Sequence, residues 1–272
     1  MNHMRDWPAC IAVAMVCAIV PSSARAQKAS QSSTPQGLEL LHHMQDALGG
    51  AERIAAIRDY EETVVARTWN PDGSALGQVR KRTRWMRSPS LIRLDQIGPR
   101  DTYVLFYDGS AGSGWEILPD VSSSDPLRTT GKAIDLTGGE LRFAQGYLSG
   151  FQFNQWLADR VPGFTVSSPA PNVLRIAHGD NADDFALDTA TWLPIKSSGV
   201  SLANPDRPVR REMHYETWTT VGGVRFPTRR INYLEGLKLG EITGSAIRID
   251  LGLTAEQLRR QPGDFMPDVP RP

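Results

Sequence analysis

Cysteine is nearly absent from this chain. Cys10 and Cys17 are the only two in 272 residues, and both fall within the first 26. That segment reads as an export signal: Arg5 supplies a positive start, Ala9 to Val20 is an apolar run, and Pro21-Ser-Ser-Ala-Arg-Ala26 ends in a small-x-small cleavage pattern. The run is 12 residues long, short of the roughly 20 that a helix needs to cross a bilayer. Cleavage is therefore expected to leave a periplasmic chain starting at Gln27 with no cysteine, which excludes disulfides, thiol catalysis and cysteine-bound metal. The alternative is a lipid anchor on Cys17, whose preceding residues Ala14-Met15-Val16 lack the leucine and small-residue context of such sites.

Net charge is missing as well. The 30 basic and 30 acidic residues become 28 and 29 once Arg5, Arg25 and Asp6 are removed, a balance of −1. Nucleic-acid binding normally requires a basic excess, so it is not expected. No later stretch is long and apolar enough to span a membrane, so no transmembrane segment is expected in the mature chain. There is no Gly-x-Ser-x-Gly elbow, phosphate loop or dinucleotide fingerprint, and the chain reads as a non-enzyme without cofactor, with an envelope hydrolase built from dispersed residues as the less favoured alternative.

What is present is alternation. Residues 27–36 are polar and read as a flexible lead. Leu38, Leu41, Met44 and Leu48 then recur at helical spacing, and Gly49-Gly50 supplies a stop. From Tyr60 the period changes to two: Tyr60 to Trp69 and Gly77 to Met86 read as a long hairpin turned by Asn70-Pro-Asp-Gly73, and strands continue to Leu118. Gly138 to Asp159 has helical spacing with a broad aromatic face and a kink point at Gly150. Strands resume from Phe164 to Asp250, with Gly179-Asp-Asn181, Val221-Gly-Gly223 and Glu235-Gly236 at hairpin turns. This predicts one α+β domain over 37–267, a curved antiparallel incomplete β-barrel of about eleven strands covered by helices on its concave side, then a tail over 268–272.

Several phrases in this order resemble the LolA/LolB-like family of periplasmic lipoprotein-sorting and lipid-carrier proteins. They are Ala47-Leu-Gly-Gly-Ala51, Tyr107-Asp-Gly109 with Trp115, Phe185-Ala-Leu-Asp-Thr-Ala-Thr-Trp-Leu-Pro194, and Gly222-Gly-Val-Arg-Phe-Pro227. The resemblance covers about residues 37 to 267. It implies an incomplete barrel closed by helices around a cavity for acyl chains, and a partner that is a lipid, a lipoprotein or another amphipathic molecule. The ligand-gripping arginine of the lipoprotein carriers has no placed counterpart here.

The candidate site residues follow from these patterns. Phe106, Trp115, Phe143, Tyr147, Phe151 and Trp156 are candidates to line such a cavity, where each buried methylene contributes about 0.8 kcal/mol. A core simply filled by these rings is the bland alternative, and would leave a module that binds another envelope protein. Arg80, Arg82 and Arg84 alternate onto one strand face and are candidates for a lipid head group or an acidic partner, against the plain reading of a solvated face balanced by acids. Asp188-Thr-Ala-Thr191 superficially matches an aspartic-protease loop, but no second such loop exists. His42 and His43 lack partners at helical metal-ligand spacing.

Overall fold

The computed structural model describes residues 32–98, 102–118, 131–201, 208–261 and 268–269. The expected signal segment, Gln27 and Cys17 lie outside them, as does most of the turn-rich stretch after Asp120. The compact unit treated below runs over Ser32–Pro272.

Helix α1, Pro35–Leu48, opens with Thr34 as N-cap, whose hydroxyl accepts a hydrogen bond from the Gly37 amide at 3.1 Å. Its start is tied down rather than free: the Thr34 amide donates to the Val166 carbonyl at 2.9 Å. Gly37 is required there, because a Cβ would meet the Ser167 Cα and N at 2.6 Å. Gly49 at φ +120° ends the helix, and α2 follows over Ala51–Ala56.

Strands β1 (Asp59–Trp69), β2 (Ala75–Met86), β3 (Leu91–Ile97), β4 (Tyr103–Asp108), β5 (Ser113–Ile117) and β6 (Ile134–Asp135) run outward as a meander. Helices α3 (Gly138–Ser149) and α4 (Gln152–Trp156) carry the chain from that edge to the opposite one. A second meander then runs inward: β7 (Phe164–Ala170), β8 (Val173–His178), β9 (Asn181–Leu187), β10 (Pro194–Ser201), β11 (Val209–Val221), β12 (Val224–Leu234) and β13 (Leu237–Ile249). The two meet where β1 pairs antiparallel with β13, Tyr60 opposite Ile249. A short helix α5, Ala255–Arg259, follows with a capping box between Thr254 and Gln257.

The result is a single open antiparallel sheet, which fits a curved, incomplete barrel. Its strands number thirteen among the described residues, not about eleven. Strand β6 is two exposed residues, too short to show alternation, whereas β7 to β9 lie where the pattern from Phe164 put strands. The expected single helix over 138–159 is two, broken where Phe151 adopts an extended conformation as N-cap of α4.

Each sheet face has its own apolar cluster. The inner face carries Tyr60, Trp85, Ile92, Leu94, Leu105, Tyr107, Leu174, Ile176, Phe185 and Phe226, packed under α1, α2 and α4. The outer face carries Met86, Leu91, Val104, Phe106, Trp115 and Ile117, packed under Leu258 of α5. Burial on both faces explains why all of β3 is buried.

Candidate functional site

The six candidate cavity residues do not share a face. Phe106 and Trp115 sit opposite one another on β4 and β5, 5.5 Å between ring centroids, in the outer cluster. Phe143, Tyr147, Phe151 and Trp156 belong to the inner side. There, Phe153 at 0 % exposure and Trp156 at 4 % pack with Trp85, Tyr60 and Phe226, the Phe153 ring lying 4.8 to 6.0 Å from those of its neighbours. These separations fit mutually packed aromatic rings with edge and tilted contacts. Phe143, Tyr147 and Phe151 stay only partly buried against that cluster, and α3 buries just Ala144 and Leu148 completely enough to anchor it. Lys81 reaches up from β2, donating to the Tyr147 hydroxyl at 3.0 Å.

Further along the same inner face the lining turns polar. Glu62 accepts from Arg230 Nη2 and from Ser245 Oγ, the latter at 2.6 Å. Ser197 Oγ and Tyr215 OH lie 2.9 Å apart. Asp183 accepts from Gln155 Nε2 of α4 and from Arg211 Nη2, each at 2.7 Å. Burial, reinforced by the Glu62 carboxylate, pushes the Tyr60 hydroxyl well above its ordinary value. Burial acts on Arg230 in the opposite sense, but Glu62 together with Tyr60 and Tyr215 outweighs it and raises the guanidinium above its ordinary value. Arg230 Nε and Gln152 Nε2 are buried without a hydrogen-bond partner among the described residues. None of this network was picked out from the sequence. The signal was parity: Glu62 and Arg230 occupy positions whose alternation neighbours, Tyr60 and Phe226, point inward.

The arginine strip faces outward, and it is neither solvated nor open. Across six strands one register row reads Arg248, Glu61, Arg84, Arg93, Phe106, Trp115, and the next reads Thr63, Arg82, Asp95, Val104, Ile117. Arg82 Nε donates to Glu61 Oε2 at 2.8 Å, and Arg248 binds the other oxygen of the same carboxylate. Arg84 and Arg93 both grip Asp95, at 2.7 and 2.8 Å. Burial alone raises the Asp95 carboxyl, but hydrogen bonds and charge from Arg93, then Arg84, hold it below its ordinary value; Glu61 behaves alike with Arg248 and Arg82. Arg80 lies beyond this pair of rows and also has an interaction partner.

Clefts open at the surface among the described residues. One of about 440 Å³ is lined by Phe106, Trp115, Leu136, Asp108, Asp135 and Arg259; another, about 260 Å³, lies between hairpin tips at Trp69 and Lys238. The Asp188 loop is a turn, its carboxylate accepting from the amides of Ala190 and Thr191 and from the Thr191 hydroxyl. Those bonds, the Thr191 amide foremost, lower its pKa without any second carboxylate. The histidines lean on neighbouring side chains: His43 stacks on Trp192, His178 packs on Phe164, His214 on Tyr233, and His42 Nε2 lies 3.5 Å from Asp159.

No protein-family model matches the chain, and no curated protein matches its sequence. Solved structures do match its fold. A DUF1329 family protein from Desulfovibrio piger superposes with a TM-score of 0.52 at 13 % identity, covering 84 % of this chain and 98 % of its own. A LolA superfamily protein from Nitrosomonas europaea aligns over 80 % of this chain and 97 % of its own, at 16 % identity and a TM-score of 0.49. The fold is shared with the DUF1329 family protein. At such identities the likeness extends to architecture alone.

Proposed function

We propose that this protein is a non-catalytic periplasmic carrier or sensor that takes up an amphipathic molecule, a lipid or a lipoprotein acyl chain, on the inner face of its sheet beneath α3 and α4. In this reading residues 1–26 are removed, 27–36 lead into the fold, and 37–267 form the working domain. The observation that supports it is a set of partly exposed aromatic side chains: Phe143 and Tyr147 on α3, which buries little else, and Phe151 at the break before α4. A helix anchored by two residues is a cheaper element to displace than α1, which buries six. Lifting it exposes rings to an incoming chain, and each methylene removed from water there stabilises the complex by about 0.8 kcal/mol. Lys81 at the margin, and the Glu62 and Arg230 pair beyond it, supply polar contacts for a head group.

The test is uptake of a fluorescent fatty acid by mature protein stripped of bound lipid, with native mass spectrometry of protein taken directly from the periplasm. Saturable uptake, reduced at least about fivefold by Phe151→Ala with Tyr147→Ala, supports the carrier, since two contact rings together are worth over 1 kcal/mol. A ligand-free mass together with no uptake sinks it.

A second reading has its own observation. Phe153, Trp156, Trp85, Tyr60 and Phe226 pack ring against ring under α4 and are almost wholly buried. A filled core favours an interaction module that binds another envelope protein.

A further inference from the structure

On the outer face the chain seats a short piece of itself. Asp268 Oδ2 lies 2.8 Å from Arg82 Nη1 and 3.1 Å from Arg84 Nη1. The Asp268 amide donates to Asp95 Oδ1 at 3.1 Å, and its carbonyl accepts from Arg82 Nη1 at 3.3 Å. Val269 beside it is buried at 9 % exposure, while the Asp268 side chain remains 57 % exposed at the rim. Arg82 thus meets both the carboxylate and the carbonyl, Arg84 shares the carboxylate, Asp95 takes the amide, and the aliphatic side chain next to them is buried.

The charges explain why something acidic belongs there. Arg82, Arg84, Arg93 and Arg248 face only Glu61 and Asp95 within these rows, so four positive groups meet two negative ones before Asp268 arrives. Arg82 and Arg84 have side-chain exposures of 16 % and 6 %, so their charge is screened weakly by solvent. Arg84 also keeps its Nε buried without a hydrogen-bond partner among the described residues. An arginine pair so placed favours a carboxylate that brings its own main-chain groups.

We propose that the Arg82 and Arg84 seat is a docking site for an acidic-aliphatic segment of a protein partner, and that Asp268-Val269 occupies it as an internal competitor. The partner is a peptide in extended form carrying Asp or Glu followed by a branched aliphatic residue. It binds by displacing the chain's own dipeptide, whose tethering gives it a high effective concentration and sets a threshold against weak competitors. This site lies on the face opposite the proposed ligand surface, so it stands or falls independently of the carrier reading.

The experiment uses the mature chain and a fluorescein-labelled peptide with the sequence of residues 264–272, read by anisotropy. Wild type is expected to bind weakly. Asp268→Ala empties the seat and is expected to tighten binding at least about tenfold, since the tether no longer competes. A peptide with Asp replaced by Asn should bind the emptied seat far more weakly, and added salt should weaken the acidic peptide's binding. Adding Arg82→Gln to Asp268→Ala should abolish the gain, with circular dichroism confirming that the double variant is folded. If Arg82→Gln fails to fold, the Asn peptide and the salt series decide the matter without it. No gain on Asp268→Ala, a gain indifferent to the peptide carboxylate, or binding to phosphatidylglycerol vesicles in place of the peptide would each overturn the proposal.

Discussion

The two faces of the sheet bury neighbouring residues of the same strands by different means. On the inner face Tyr60, Trp85 and Ile92 line up across β1 to β3 and disappear under helices as uncharged bulk. One residue along, Glu61, Arg84 and Arg93 line up across the same strands and disappear under one another, with α5 and Asp268 completing the cover. Apolar burial contributes roughly 1.5–3 kcal/mol per large side chain. A buried ion pair roughly breaks even against its desolvation cost, yet is expensive to break on one side only. The inner face therefore supplies most of the stability, and the outer rows supply register: a slip of one residue between β1 and β2 would bring Glu61 into the aromatic cluster.

The sharpest way to break this contrast is to remove a ring. Phe153→Ala is expected to cost about 4 kcal/mol, because the site is ringed by aromatic groups that collapse poorly into a void; a loss under about 1.5 kcal/mol in urea denaturation would mean the inner cluster is loosely packed. On the other face Asp95→Ala is expected to cost about 3 kcal/mol by leaving Arg84 and Arg93 facing each other. Near-neutrality there would show that water reaches the rows.

A graded version of the second test is acid. The Asp95 and Glu61 carboxyls are held below their ordinary values in the folded state. Their contribution is therefore complete above the ordinary carboxylate range and is lost as pH falls through their lowered folded values. Denaturation midpoints measured from pH 7 to pH 3 should fall with acid, and less steeply in Asp95→Ala. The smallest effect is expected at the exposed Arg175–Asp184 pair, 2.6 Å apart on β8 and β9. Arg175→Ala should shift stability by less than about 1 kcal/mol, since solvent screens such pairs.

Much of the sheet was legible because alternation and turn residues are local signals. The β1–β2 hairpin with its Asn70-Pro-Asp-Gly73 turn, the strand Val224–Leu234 and the helix ended by Gly49 all appear where the pattern put them. What escaped was set by distance or by brevity. Helix α5 has one buried residue, Leu258, too little for periodicity, although Thr254 and Gln257 spelled a capping box. The sides of Phe106 and Trp115 could not be read from β4, where Val104 and Phe106 are as apolar as Leu105 and Tyr107. The arginine alternation was visible, but its cover was not, since Asp268 lies 184 residues beyond Arg84 in sequence.

The seam between β1 and β13 has a kinetic consequence. Each meander is built from hairpins between sequence neighbours, so its pairings can form early and locally. The pairing of Tyr60 with Ile249 joins residues 189 apart and depends on both meanders being in place. Loop closure over such a span grows only slowly with length, about 0.6 kcal/mol per doubling, but it must precede any reward from the contacts it brings together. Zipping of this one central ladder is thus the expected late step of folding.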